Sequence, residues 1–320
     1  MTILIIDGNN MAHRARHKFN LSNRGKDVSV TYGFLRMLKS LLAKFEPQSI
    51  IVCWDDGIPE FRRILVPEYK AGRHDNDDLL LYEDFLRQMR ELTAILPVMG
   101  IASVIRPGVE ADDLMAHAAR MALSQRPIIV TSDKDLLQCV NDYISVYSPM
   151  QDIIYTPDLV LETFGVKPHN ITEWRALQGD SSDNIPGVVG IGEKTATKLF
   201  QQFGSLSYII NAALGIGDNT ELLSERHKQA ILDFGFERLY NNVKVSSLYT
   251  DRIGARHALW LAAKFWQPMD KMRVKKYLMR NAFTSLMDGD FYGYLMELDS
   301  PLFFTTGVKM PVVAFRRIAV

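Results

Sequence analysis

An α/β fold, with a mostly parallel Rossmann-like sheet and helices on both faces, is predicted by three observations. Short apolar runs alternate with stretches of helical periodicity through residues 1 to about 150, the alternation of a parallel sheet covered by helices. Several of those apolar runs end in an acid: "ILIID" in Asp7, "IIVCWD" in Asp55, and "PIIVTSDKD" in Asp133 and Asp135. After residue 155 no strand alternation remains, and the chain reads as helices and turns.

The elements follow in order. Strands are predicted at 3–6, 50–54, 102–105, 128–131 and 144–147, each apolar and bounded by turn or helix signals. Helices are predicted at 32–45, 79–96 and 112–123. In the first, Phe34, Leu35, Leu38, Leu41, Leu42 and Phe45 recur at helical spacing. Residues 59–78 break the pattern with a long segment, basic in its first half, of the size that is functional or disordered in a compact domain. Further helices are predicted at 157–164, 170–178, 193–203 and 255–266, with a soft domain boundary near Val166.

With 320 residues, 47% hydrophobic and 23% charged, the chain has enough apolar residues for a sizeable core. No apolar run approaches the ~20 residues of a membrane helix, and "ILII" is too short for a signal-peptide core. The two cysteines, Cys53 and Cys139, lie in or beside apolar segments, which fits reduced thiols and a cytoplasmic location. The formal net charge is zero, from 37 basic and 37 acidic residues. That balance hides an asymmetry, because nine acids are expected to share one site. The remaining 28 acids face 37 basic residues, which leaves room for a basic surface around an acidic centre.

The nine are Asp7, Asp55, Glu110, Asp112, Asp113, Asp133, Asp135, Asp180 and Asp183. In an open α/β sheet the carboxyl ends of the strands converge on one crevice. Like charges gathered there repel unless a cation neutralises them, and all-oxygen ligation suits a hard divalent ion such as Mg²⁺ or Mn²⁺. A two-metal site is expected. Each piece has a simpler reading: the acids of "VEADD" complement a helix dipole, and Ser132 with Asp135 resembles a capping box.

"QGDSSDNIPGVVGIGEKTATKLF" holds Gly187, Gly190 and Gly192 in a turn before a helix that starts at Glu193, an arrangement whose N–H groups can face a phosphate. It is not a nucleotide-binding P-loop, because Glu193 separates the last glycine from Lys194 and no strand precedes the segment. In the basic segment after Asp55, Arg62, Lys70 and Arg73 are candidate phosphate contacts and Tyr69 a candidate stacking surface for an unpaired base. The same residues also read as an ordinary solvated loop. "DKMRVKKYLMR" places Lys271, Arg273, Lys275, Lys276 and Arg280 on a short helix, and "SPLFF" at 300–304 faintly resembles a sliding-clamp-binding peptide.

Five pieces occur together in order: "DGNN", "WDDGIPEFRR…PEYKAGR", "GVEADD", "TSDKDLL" and "GDSSDNIPGVVGIGEKTA". In this the chain resembles the 5′-nuclease or flap endonuclease superfamily, most closely its phage members and the 5′-nuclease domain of bacterial DNA polymerase I. The resemblance runs from about residue 3 to 204. It implies a nuclease domain over 1–165 with a helical arch or clamp inserted at 58–80, a helix–three-turn–helix region over 166–265, and an extension of unknown role over 266–320. Asp7, Asp55, Glu110 and Asp112 then correspond to ligands of a first metal, and Asp133, Asp135, Asp180 and Asp183 to those of a second; Asp113 also matches an acidic position.

The resemblance also implies phosphate contact by Lys70 and Arg73, and DNA with K⁺ at Gly187, Gly190, Gly192, Lys194 and Thr195. The expected reaction is two-metal hydrolysis of DNA, as a 5′→3′ exonuclease and a 5′-flap endonuclease on flaps, nicks and branched duplexes, with RNA–DNA hybrid as a further substrate class, by a monomer that works beside single-strand-binding protein or a sliding clamp. The rival is an inactive junction-binding protein of the same fold, which would show lost ligands; none is missing.

Overall fold

The computed structural model describes residues 2–72, 79–248, 254–264 and 266–299. The elements are β1 (Ile3–Asp7), α1 (Gly8–Lys18), a short hairpin of β2 (Ser22–Asn23) and β3 (Lys26–Asp27), α2 (Ser29–Phe45), β4 (Ser49–Trp54), α3 (Glu60–Leu65), α4 (Leu79–Ile95), β5 (Ala102–Ile105), α5 (Ala111–Met121), β6 (Ile128–Val130), β7 (Ser145–Ser148) and β8 (Ile153–Tyr155). Helices follow: α6 (Pro157–Phe164), α7 (Ile171–Gln178), α8 (Glu193–Phe203), α9 (Leu206–Ala213), α10 (Glu225–Phe234), α11 (Phe236–Ser246), α12 (Ala255–Lys264), α13 (Lys271–Arg280) and α14 (Gly289–Met296).

The main sheet has the order β5-β4-β1-β6-β7-β8, parallel except for the antiparallel pair β7–β8. From β1 the chain crosses to β4 on one side and, later, to β6 on the other. The crevice beyond the carboxyl end of β1 is therefore a topological switch point, where open α/β sheets place their ligands. In register, Asp7 pairs with Cys53, one residue before Trp54 ends β4.

Successive residues of the central strands serve opposite faces, as the two-residue period of a strand requires. Ile3, Ile5, Ile51 and Cys53 pack with α5 and with helices α6 to α12. Leu4, Ile6, Ile50, Val52 and Trp54 pack with α1, α2 and α4, and also with Val274, Leu278, Phe291 and Leu295 of α13 and α14. The 266–299 stretch, given no role by the sequence, thus covers the second face of the sheet through α13 and α14. The sheet closes tightly there: a Cβ on Gly8 would lie 2.4 Å from Trp54, so β1 turns into α1 only with glycine at that place.

The predicted helices 157–164 and 193–203 match α6 and α8, while the strand expected at 144–147 lies one residue later. Strand β8 was not expected; its three residues pair antiparallel with β7 at the edge of the sheet. Within the predicted arch segment, 60–65 is helical. Arg73 and the "SPLFF" peptide lie outside the described residues.

Candidate metal-dependent nuclease centre

Strand ends and helix starts bring the acids together. Asp7 ends β1 and caps α1, accepting from the Asn10 amide at 2.8 Å and from the Thr131 hydroxyl at 2.8 Å. Asp55 follows β4 and accepts from the Ala111 amide at 2.7 Å, which draws the first turn of α5, with Asp112, to the end of that strand. The loops concerned are also tied by the Asp56–Val109 bridge. Asp133 follows β6 and accepts from the Asp135 amide at 2.8 Å. Asp180 and Asp183 arrive from the loop after α7, closed by paired hydrogen bonds between Asp180 and Ile185, 2.8 Å each. Carboxylate oxygens of Asp135, Asp180 and Asp183 all lie within 4.8 Å of one another.

The neck of that loop explains two glycines. A Cβ on Gly187 would lie 2.1 Å from the Gln178 carbonyl, and one on Gly179 would lie 2.4 Å from the Gly187 amide. Gly187, expected to cradle phosphate, also lies in the neck that closes the acidic loop. Gly190, Gly192 and Lys194 are exposed, and Thr195 is half-buried in the first turn of α8. Val189 at the tip is 86% exposed.

The electrostatics are those of a crowded anionic crevice. Burial, reinforced by Asp55 and Asp133, pushes the Asp7 carboxyl up to about 7, against the opposing pull of Asn10 and Thr131. Burial and the charges of Asp133, Asp180 and Asp183 raise Asp135 to about 7 despite Arg175. Asp112 is pushed well above the usual range by burial and by Asp133, Asp7 and Asp55. Two carboxyls go the other way. Burial alone would raise Glu110, but Arg62 and Lys70 outweigh it and hold it low; at Asp180 the Ser182 hydroxyl and Arg175 do the same.

Three cations supply this compensation. Arg62, 2% exposed, bonds Glu110 and both oxygens of Asp113, and its Nε donates to the Val245 carbonyl at 2.8 Å. Lys70 bonds Glu110 and lies 3.8 Å from Asp183. Arg175 bonds Asp180 and places Nε 2.8 Å from Asp135.

Three expectations change as a result. Arg62 is not a surface contact for DNA but a buried counter-ion. Tyr69 is buried against Glu110 rather than presented for stacking, with its hydroxyl 3.3 Å from that carboxylate. Asp113 is fully buried and gives both oxygens to Arg62, which commits its carboxylate to an ion pair. Arg175 was missed altogether. An arginine in an amphipathic helix carries no signal of its own, although it stands five residues before Asp180.

The family described as "5'-3' exonuclease, N-terminal resolvase-like domain" matches residues 2–165, and "5'-3' exonuclease, C-terminal SAM fold" matches residues 166–256. The chain belongs to the 5′–3′ exonuclease family. It is a nuclease that hydrolyses phosphodiester bonds. The thermostable DNA polymerase I of Thermus aquaticus is 34% identical over 291 residues, 89% of this chain and 32% of the polymerase. DNA polymerase I of Mycobacterium tuberculosis is 36% identical over 220 residues, 66% of this chain and 24% of its own length. The chain thus spans about a third or less of these relatives. Among solved structures, phage T5 5′-exonuclease with bound zinc superposes with a TM-score of 0.66 at 23% identity, covering 88% of this chain and 100% of that one. Human GEN1 in complex with Holliday junction DNA gives 0.58 at 15% identity, covering 92% and 71%. Both share the fold. No helix among the described residues is long and apolar enough to cross a membrane.

Proposed function

We propose that this member of the 5′–3′ exonuclease family is a divalent-metal-dependent, structure-specific nuclease that acts through two ions as a 5′→3′ exonuclease and as an endonuclease on DNA with 5′ flaps, nicks and branches. The observation that carries the reading is the meeting of Asp135, Asp180 and Asp183 within 4.8 Å beside the switch point that ends in Asp7. The residues fit hard cations: the donors are all carboxylate oxygens, and burial with mutual repulsion raises Asp7, Asp112 and Asp135 until positive charge is supplied. Asp7, Asp55, Glu110 and Asp112 would hold one ion and Asp133, Asp135, Asp180 and Asp183 the other. When bound, such ions supply a nucleophilic water at neutral pH and neutralise charge on the reacting phosphate.

The chain's own groups do the rest. Lys70, its side chain 13% exposed at the mouth of the crevice, offsets phosphate charge. The exposed backbone of Gly190 and Gly192, with Lys194 at the start of α8, offers donors to the duplex backbone without reading bases. Mg²⁺ as the working ion, K⁺ at the hairpin and RNA–DNA hybrid as a second substrate belong to the same proposal. So do Arg73 as a further phosphate contact, action as a monomer, a place in the cytoplasm, and work beside single-strand-binding protein or a sliding clamp.

The test is cleavage of a labelled 5′-flap duplex with Mg²⁺ by the wild type and by Asp135→Asn. Loss of cleavage in the variant is expected; an inert wild type or an undiminished variant would refute the proposal.

A further inference from the structure

Lys70 and Asn184 are both left-handed without being glycine, with φ of 54° and 56°. Asparagine tolerates that conformation, whereas lysine has no short polar side chain to offset it locally. The Lys70 backbone therefore needs support from outside its own turn. Two hydrogen bonds join the segments directly: the Lys70 amide donates to the Asp183 carbonyl at 3.0 Å, and the Asn184 side-chain amide donates to the Ala71 carbonyl at 2.9 Å. They run in opposite directions between adjacent residue pairs, 70–71 and 183–184. Held this way, Lys70 reaches Glu110 and lies 3.8 Å from Asp183, at the contact between the two groups of acids. Asn184 itself is exposed, so it is not there to fill a core.

We propose that Asn184 is a positioning residue for Lys70: its carboxamide fastens the base of the 58–80 segment to the acidic loop and keeps the Lys70 ammonium over the crevice. The catalytic consequence rests on the nuclease reading above; the placement of Lys70 does not. Asparagine is suited to both demands at once, a left-handed backbone and an N–H donor long enough to reach a carbonyl on another segment.

Two variants separate side chain from backbone. Asn184→Gly keeps the left-handed conformation and deletes the donor; Asn184→Ala deletes the same donor while straining the backbone, and the glycine variant carries the test if the alanine variant does not fold. The first readout is acylation of lysines by acetic anhydride, followed by mass spectrometry. Lys70 is expected to react roughly three- to tenfold faster in Asn184→Gly, the range that one hydrogen bond supplies, while the exposed Lys194 is unchanged. Equal Lys70 reactivity in wild type and variant overturns the proposal. The second readout is a double-mutant cycle on flap cleavage. Asn184→Gly should lower kcat by a similar factor with Lys70 present and leave it unchanged when added to Lys70→Ala; full additivity overturns the coupling. If the wild type fails to cut the flap duplex, the nuclease reading falls, and the acylation result still decides the role of Asn184.

Discussion

Arg62 and Asp113 meet edge to edge, Nη1 to Oδ2 at 2.6 Å and Nη2 to Oδ1 at 2.8 Å, with both side chains 2% exposed or less. The guanidinium is strongly held: burial opposes its charge, but Asp113 and Glu110 outweigh the penalty. This pair clamps α3 to the start of α5. Through Nε it also reaches the Val245 carbonyl at the end of α11. Removing one partner leaves a buried, uncompensated charge. Arg62→Ala or Asp113→Ala is expected to lower stability by about 3–5 kcal/mol in denaturant melts. A loss under about 1 kcal/mol would mean that the pair is solvated in solution.

Asp7 and Asp135 should contribute stability to the metal-free protein that falls as pH rises. Their folded-state values are about 7 against the ordinary 3.8. Between those values the folded protein binds more protons than the unfolded chain. This contribution is therefore complete below 3.8 and is lost as pH rises through about 7. With chelator present, Tm should fall between about pH 5 and pH 8. Divalent ions bind the deprotonated form, so millimolar Mg²⁺ should raise Tm more at the upper end of that range than at the lower. Scanning calorimetry with and without Mg²⁺ reads both, and a metal-free Tm rising over this range would contradict the assignment.

Arg175 is the counter-ion of the Asp135–Asp180 pair. Arg175→Met should cost about 2 kcal/mol in chelator, the scale of a hydrogen bond to a charged group. Much of that loss should return on adding Mg²⁺, because one cation replaces another. Thermal melts of the variant under the two conditions test this, and a loss independent of the ion would assign Arg175 to packing alone.

Gly187 and Gly192 look alike in the sequence and should differ sharply on substitution. A Cβ at Gly187 meets the Gln178 carbonyl at 2.1 Å, whereas one at Gly192 meets nothing within 4 Å. Gly187→Ala should destabilise by about 2–4 kcal/mol, while Gly192→Ala stays within about 0.5 kcal/mol. Any effect of Gly192→Ala should then appear in DNA affinity. Equal melting temperatures for the two variants would contradict the geometry.

The sequence by itself determined the sheet-and-helix architecture and the acids at its strand ends. Both are local signals: apolar period, strand length, and an acid or glycine at a fixed offset. The helix at 193–203 and the acids after β1, β4 and β6 were legible because a few neighbouring residues specify each. Tertiary structure decided which charges pair. Asp113 is one residue from Asp112, and side-chain direction on α5 sends Asp113 to Arg62 while Asp112 stays with Asp7, Asp55 and Asp133. Arg62 and Arg175 are ordinary cations in sequence, and burial among acids many residues away gave them their roles. Gly187 became part of a neck only because Gln178 approaches it. Arg62 with Asp113 and Arg175 with Asp135 lie far apart along the chain, and a code read by local spacing holds no record of which distant groups the fold will bring within 3 Å.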